Sequence, residues 1–355
     1  MKTWLLRIGL GVGAVVAVVV ALSGYFLIRT GALRSFPTAT AACTEFPLQG
    51  ESAEDIVVDR VRNLAYISAR NRRGAAPGAS EPGTVKVIDM TATPWRMSVA
   101  VTGAPADFRP HGLSLFTDAD GRQTLMAISH PGADQHRVEI FDRAEDGSFA
   151  HVQSVGGAEL FKPNDLAAVG SRQFYVVNDT GARTPFQRAA EQLFGAGYSS
   201  LVYYDGAALK VMRDDLASPG GLNVAADGAR LFVAETQGKR VTILKRDPAT
   251  GALANEASIA LAGLPDNIDI AADGAAWVTS HGSALGLVRH FIDPAQPSPS
   301  VVNRIAATAS GGWDAPEVYV SDGRNLSAGS VTVQVGNQML LGSITEYKIL
   351  VCKAP

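Results

Sequence analysis

The chain has 355 residues, 46% of them hydrophobic, and a formal net charge of −3. That is apolar material for a large core and too long for one average α/β unit. The acidic balance, with no basic run interleaved with aromatics, excludes a nucleic-acid groove.

The chain opens on 21 residues without a charge, Ile8 to Ile28, close to the roughly 20 needed to span a bilayer as a helix. Lys2 and Arg7 precede this run, and Arg29 and Arg34 follow it, so charge bias alone does not orient it. A cleaved signal peptide and an uncleaved anchor both fit. The run exceeds a usual signal-peptide core, which favours a transmembrane signal anchor over 1–29. Residues 30–42 then read as a linker, and 43–355 as the folded domain.

Within that domain one pattern recurs: a polar pair, an apolar strand-like run, a turn and a second run. The pairs are Glu54-Asp55, His111-Gly112, Asn164-Asp165, Gly220-Gly221 and Asp266-Asn267, at steps of 57, 53, 56 and 46 residues. Such a period holds one four-stranded blade, and the length suits an all-β, six-bladed β-propeller in one domain. Equivalent strand ends of a propeller meet around its central channel, so the pairs form a ring. The ring gathers Glu54, Asp55, Asn164, Asp165, Asp266 and Asn267, oxygen donors expected to have no nearby Lys or Arg to neutralise them. Calcium takes roughly six to eight such ligands, whereas zinc or copper favours more His or Cys. Strand neighbours point to opposite sides, so a doublet addresses two positions and two stacked ions fit. Taken singly, Asn, Asp and Gly before a strand are ordinary turn formers; it is the repetition in register that argues for a metal.

After "VVNDTGAR" at the ring end of blade three, Thr184 to Tyr198 carries a Thr cap, a first-turn Pro and apolar residues at helical spacing. It reads as the only convincing helix inside the propeller, either a lid over the channel mouth or a loop helix with no such role. Cys43 and Cys352 flank the domain, where a propeller brings its first and last strands together. A disulfide there would need an oxidising compartment; the alternative for Cys43 is a lipidated N-terminus, for which "TAAC" lacks the apolar residue. With the anchor, this places the domain outside the cytoplasm.

Of six histidines, His111 opens the second blade's inner strand, and His130 ends the following strand, where a hairpin returns it to the same rim. Two imidazoles beside a metal can move a proton from water; alone, each also fits a strand-end cap. His281, at the corresponding end of blade five, and Asp179, following blade three's second strand, are candidates for substrate contact. His136, His151 and His290 read as surface residues. No G-x-S-x-G elbow and no dinucleotide or phosphate loop is present, which leaves metal-assisted attack of water on a carbonyl.

The segments "SAEDIVVD", "RPHGLSLFTDADG", "ISHPGA", "FKPNDLAAVGSRQFYVVND", "SSLVYYDG" and "LPDNIDI", in that order between the two cysteines, resemble the serum paraoxonase/arylesterase family. These are calcium-dependent six-bladed propellers that hydrolyse lactones and aryl esters. The resemblance implies a catalytic calcium on Glu54, Asn164, Asp266 and Asn267, and a structural calcium on Asp55, Asp165 and the Leu113 carbonyl. It also implies that His111 and His130 form the dyad that activates water, and that the N-terminal segment is retained as a membrane anchor. Two departures stand out. Gly220 replaces an Asn ligand, which a neighbour such as Asn223 could make up, and Thr180 stands where better-known members carry His. A wide lid and apolar rim suggest lipophilic lactones. Related propellers of other chemistry, resembling gluconolactonase or strictosidine synthase, and a non-catalytic calcium-stabilised propeller are the alternatives.

Overall fold

A computed structural model describes residues 2–39, 41–73 and 81–355, with the side chains of residues 2–9, 11 and 12 outside that description. Among the described residues, six sheets of four or five strands, antiparallel but for the short parallel pairing of Val101–Thr102 with Phe149–Gly156, make the six expected blades. Their inner strands are Ser52–Asp59, Pro110–Thr117, Pro163–Gly170, Pro219–Val224, Leu264–Ile270 and Gly329–Val335. Apolar residues alternate along each strand and pack between neighbouring blades. Ile67 and Ile88 of blade one, for example, share a core with Val333 and Ile349 of blade six. The sixth inner strand carries Gly329-Ser330 at the ring position, which is why no sixth polar pair shows in the sequence.

The ring closes through the chain ends. Cys43–Pro47 pairs antiparallel with Lys348–Lys353, placing Cys43 opposite Cys352, and the two form a disulfide.

Helix α1 spans Lys2–Arg29. Among the described residues no helix is long and apolar enough to cross a membrane, so the expected transmembrane anchor is not supported. Residues 8, 9, 11 and 12 of that expectation have side chains outside the description. The segment that follows is bonded along blade five: the Thr30 carbonyl accepts from the Ala284 amide at 2.9 Å, Arg34 pairs with Glu317 at 2.6 Å, and the Thr38 hydroxyl donates to Asp322 at 2.8 Å.

Helix α2 spans Pro185–Phe194, capped by Thr184 and Gln187 in a reciprocal box and ended by left-handed Gly195. A second inserted helix, α3 (Ala284–Ile292), overturns the expectation of a single one. Its sequence signals are the Ser283 cap and apolar residues at Leu285, Val288 and Ile292. His290 on α3 is buried rather than on the surface; its ring contacts Thr345 Oγ1 at 2.9 Å, the Gln296 carbonyl at 2.7 Å and Arg73 at 2.7 Å. His151 likewise meets the buried Glu139 at 2.9 Å.

Candidate active site

Every inner strand slips register at the ring position: between Ala53 and Ile56, Pro110 and Leu113, Pro163 and Asp165, Pro219 and Gly221, Pro265 and Ile268, and Gly329 and Val331. Such bulges re-aim side chains at a sheet's end. Here they divide each pair. The first members, Glu54, His111, Asn164, Gly220 and Asp266, all line one cavity of about 690 Å³, while none of the second members does. Gly112 illustrates how tightly the second tier packs: a Cβ there would stand 2.6 Å from Asp165 Oδ1.

At the cavity floor Glu54 is buried, and the Asn267 amide donates to its Oε1 at 3.0 Å. Burial opposes ionisation of Glu54, but the His111 imidazole, the Arg72 guanidinium and the Asn267 amide outweigh it and hold the carboxyl down at about 2. Arg72 corrects the expectation that no cation stands near the carboxylates; it is supplied by the segment after the second strand of blade one and donates to the Pro110 carbonyl at 2.9 Å. Three buried oxygens, Glu54 Oε2, Asn164 Oδ1 and Asn267 Oδ1, make no close hydrogen bond among the described residues, Glu54 Oε2 having only the His111 imidazole at 3.4 Å. Buried acceptors left in that state are costly, and a hard cation is the partner that this donor set suits.

Beneath them Asp55 takes the Leu113 amide at 2.6 Å, and Asp165 takes the Leu222 amide at 2.7 Å, each stitching its blade to the next. Both carboxyls are pushed well above their usual range, first by burial and then by neighbouring carboxylates, Glu54 acting on Asp55 and Asp55 on Asp165. Buried acids raised in this way by neighbouring carboxylates also fit a site that a cation neutralises. Among the described residues no three His, Cys, Asp or Glu side chains converge as a metal-binding group; the shell of an ion here would draw on amide and backbone oxygens as well.

His111 stands between floor and wall, with Nε2 3.4 Å from Glu54 Oε2 and Nδ1 2.8 Å from His130 Nε2. The two expected dyad members therefore meet. Burial first, then the neighbouring rings of His111 and His136, pull His130 well below its usual range, so it is neutral at pH 7. The second ring nitrogen of His130 lies 2.8 Å from His136 Nδ1. His136 is thus no bystander on the surface. The signal was the tight turn at Ala133-Asp134, which pairs Gly132 with Gln135 and brings the flanking histidines into edge-to-face contact.

His281, buried, holds Asp266 Oδ2 at 3.1 Å and lines the cavity. Asp266 is raised by burial, an effect that this imidazole opposes. Asp179 also lines the cavity. Its side chain is exposed to the cavity yet surrounded by protein atoms, and that enclosure pushes it up to about 6 against the pull of His111 and Lys162. Sequence reasoning missed the cations of the same wall, Arg70, Lys162 and Arg188.

Helix α2 borders the cavity, to which it turns Arg188, Glu191 and Gln192, while Phe186 and Phe194 are exposed. Glu191 pins it by accepting from Thr180 Oγ1 at 2.5 Å and the Gly181 amide at 3.1 Å. Most side chains that line the cavity are polar or charged, with Leu287 and Ile344 among the apolar ones, yet more of the exposed wall is carbon than nitrogen or oxygen, so the wall is mixed and the expected apolar character is partly present.

Gly220 is a steric requirement as well as a missing ligand. A Cβ there would meet Asp266 Oδ1 and Thr236 Oγ1, each at 2.7 Å. Asn223 does not compensate, because its amide is spent on the Ile268 carbonyl and the Val224 amide, and it lines the cavity at the opposite end of the channel. Gly220→Ala is expected to displace Asp266 and destabilise the protein by about 1–3 kcal/mol, the usual range for overpacking. Unchanged thermal stability and metal affinity in that variant would show that the wall yields freely.

The family model described as Arylesterase matches residues 55–354. Human serum paraoxonase/arylesterase 1 is 28% identical over 280 residues, covering 77% of this chain and 78% of that protein. Human serum paraoxonase/arylesterase 2 is 30% identical over 250 residues, covering 70% and 69%. Among solved structures, a luciferin-regenerating enzyme superposes with a TM-score of 0.54 at 11% identity, covering 88% of this chain and 98% of that one, a likeness of fold alone. With the family model spanning nearly the whole propeller, the chain belongs to the arylesterase family.

Proposed function

We propose that the protein is a calcium-dependent hydrolase of lactones and aryl esters. The observation that carries this reading is the placement of three buried oxygens without a close hydrogen bond, on Glu54, Asn164 and Asn267, beside the His111–His130 pair at the floor of one cavity. Glu54, Asn164, Asp266 and Asn267 would hold a catalytic calcium; Asp55, Asp165 and the Leu113 carbonyl would hold a structural one. Calcium bound there supplies polarisation of the substrate carbonyl and neutralises developing charge on its oxygen.

The chain's own groups do the rest. His111 presents Nε2 to the cavity floor and accepts a proton from water, and neutral His130 takes up the proton displaced from His111 Nδ1. His281 orients Asp266. In a mixed wall, Asp179, Arg188 and Gln192 offer hydrogen bonds to substrate groups beyond the reacting ester, Leu287 and Ile344 offer apolar contact, and the lid helix limits access of bulk water.

The family resemblance and the disulfide support an extracytoplasmic, oxidising location. A membrane tether rests on the uncharged run of residues 8–28 alone; recovery of the full-length protein in the soluble fraction without detergent would dismiss it.

Turnover of a panel holding an aryl acetate, an aliphatic lactone and an acyl-homoserine lactone, with calcium and with chelator, tests the reading. Calcium-dependent hydrolysis of at least one member is expected, with His111→Gln lowering kcat by about 100-fold or more, the range for loss of a general base. A folded, calcium-stabilised protein that hydrolyses none of them would instead be a binding propeller.

A further inference from the structure

We propose that the buried His290 is a positioning residue, which holds Leu287 and Ile344 in place as the apolar side of the cavity and so sets its selectivity for substrates that carry an alkyl arm. This rests on the hydrolase reading above. The ring is bonded on both sides. Nδ1 lies 2.7 Å from the Gln296 carbonyl, and because a carbonyl only accepts, Nδ1 carries the proton and Nε2 is left to accept. Two donors converge on Nε2, the Thr345 hydroxyl at 2.9 Å and Arg73 Nη2 at 2.7 Å. Arg73 in turn donates to the Thr345 carbonyl from Nε and to Glu346 Oε1 from Nη2, each at 2.9 Å.

This cluster joins three separate segments, and each of them places a neighbouring residue on the cavity wall. Leu287 stands three residues before His290, on the same face of α3. Ile344 directly precedes Thr345, and Arg72 directly precedes Arg73; all three wall residues line the cavity. The turn that carries Ile344 is stiff, because the Ser343 hydroxyl accepts from the amides of Thr345 and Glu346, each at 3.1 Å. Arg72 has bonds of its own, among them the one to the Pro110 carbonyl. Helix α3 therefore depends on the cluster most. His290 is its buried residue, while Val288, Phe291 and Ile292 are exposed. Its first turn is tied through the Ala284 amide to the Thr30 carbonyl, and His290 ties the other end.

An apolar side chain of similar size would fill the same space without the cost of desolvating an imidazole. What the imidazole adds is direction. Hydrogen bonds at fixed angles to two other segments specify one position for α3, and a fully satisfied buried network rigidifies what it joins. That matters for Leu287 and Ile344, which are half-buried and present carbon to the cavity. An alkyl arm gains from each buried methylene only while its walls stand at contact distance, since a gap of about 0.5–1 Å already forfeits a quarter to a half of the attraction. A small displacement of α3 thus weakens binding of the arm and leaves the reacting ester at the floor undisturbed.

His290→Leu keeps the burial and removes the bonds. The readout is the ratio of kcat/KM for a lactone with a long alkyl side chain to that for the unsubstituted ring, with calcium in excess. The ratio is expected to fall about tenfold, through KM of the alkyl lactone and with kcat unchanged, within the range that a hydrophobic pocket commands. His290→Gln, whose amide oxygen accepts in place of Nε2, is expected to restore most of it; failure to do so assigns the loss to packing and overturns the proposal. Should His290→Leu not fold, Thr345→Val removes only the hydroxyl that faces Nε2 and reads the same ratio. An unchanged ratio in either folded variant overturns the positioning role, and so does an equal loss on both lactones, which is what plain support of the fold predicts. Combined with Leu287→Ala, His290→Leu is expected to lose less than the product of the two single effects; independent losses would mean that the two residues do not act together. Binding of cyclopentanone with and without the alkyl side chain, by calorimetry, needs no turnover and separates this role from the hydrolase reading. The wild type is expected to hold the alkyl ketone more tightly and His290→Leu to lose that difference, even in a protein that hydrolyses neither lactone; no difference in the wild type overturns the apolar wall itself.

Discussion

Stripping calcium with a chelator is expected to abolish turnover and lower the melting temperature by about 10 °C, and the stabilisation regained on adding calcium back is expected to be larger at pH 8 than at pH 5. The first part follows from the floor of the cavity. Glu54, Asp55, Asp165 and Asp266 are buried together, and three oxygens there make no close hydrogen bond among the described residues. A ligand that binds only the folded state at about 1,000 times its Kd adds about 4 kcal/mol, and in a domain of this size each kcal/mol moves the midpoint by a few degrees. The pH dependence follows from the direction of the shifts. Asp55, Asp165 and Asp266 have raised pKa values in the metal-free fold. Above the usual carboxylate range the folded protein then holds protons that the unfolded chain has lost, so these groups make metal-free stability fall as pH rises. Calcium must displace those protons, and it binds better once they are gone. His130 and His136, whose values are lowered, contribute the opposite slope near pH 6, but they contribute it with and without calcium, so the difference between the two melting curves isolates the carboxylates. An increment that does not change with pH would mean that the acids are not the ligands. Glu54→Gln gives a second reading at fixed pH: loss of one charge with little change in volume is expected to weaken calcium and suppress turnover together.

What could be read from the sequence followed from what repeats. The polar pair recurs once per blade, so the propeller, its channel ring and the meeting of His111 with Glu54 were legible before any coordinates. Strict strand alternation also anticipated two tiers, although the structure makes them with a bulge at each pair rather than with a regular pleat. What did not repeat was missed. Arg72 comes from an irregular segment, and its role at Glu54 depends on the path of the chain between blades. Helix α3 and the burial of His290 belong to an insertion peculiar to blade five. His136 lies six residues from His130 across a tight turn, a signal that was present but read as a loop. The fate of Gly220 could not be read at all, because the reason for a glycine there is the position of Asp266 from the next blade.

Removing the disulfide, as Cys43→Ser with Cys352→Ser, is expected to cost about 5 kcal/mol, the largest single loss of stability available outside the metal site. The bond joins residues 309 apart in sequence, so it restrains nearly the whole unfolded chain, and the chain-entropy cost of closing a loop grows with its length. The folded side of the balance is nearly unaffected. Cys43 remains opposite Cys352 through the antiparallel pairing of Cys43–Pro47 with Lys348–Lys353, and Cys352 lies in a core with Leu341 and Leu350. The loss therefore concentrates on the closure strand. Without the bond that strand is held by its ladder, by the Lys348–Glu45 ion pair at 2.5 Å and by little buried side-chain surface of its own, since Thr44 and Glu45 are exposed. An exposed pair of this kind is worth only about 0–1 kcal/mol. Urea melts of the oxidised and doubly substituted proteins measure the difference directly. A shift under about 1 kcal/mol would show that blades one and six hold together without the covalent tie, and that the ring is closed by its cores alone. A large shift accompanied by loss of calcium affinity would show more: that the floor of the channel, to which blades one and six contribute Glu54 and its partner Ser330, keeps its geometry only while the ring is shut.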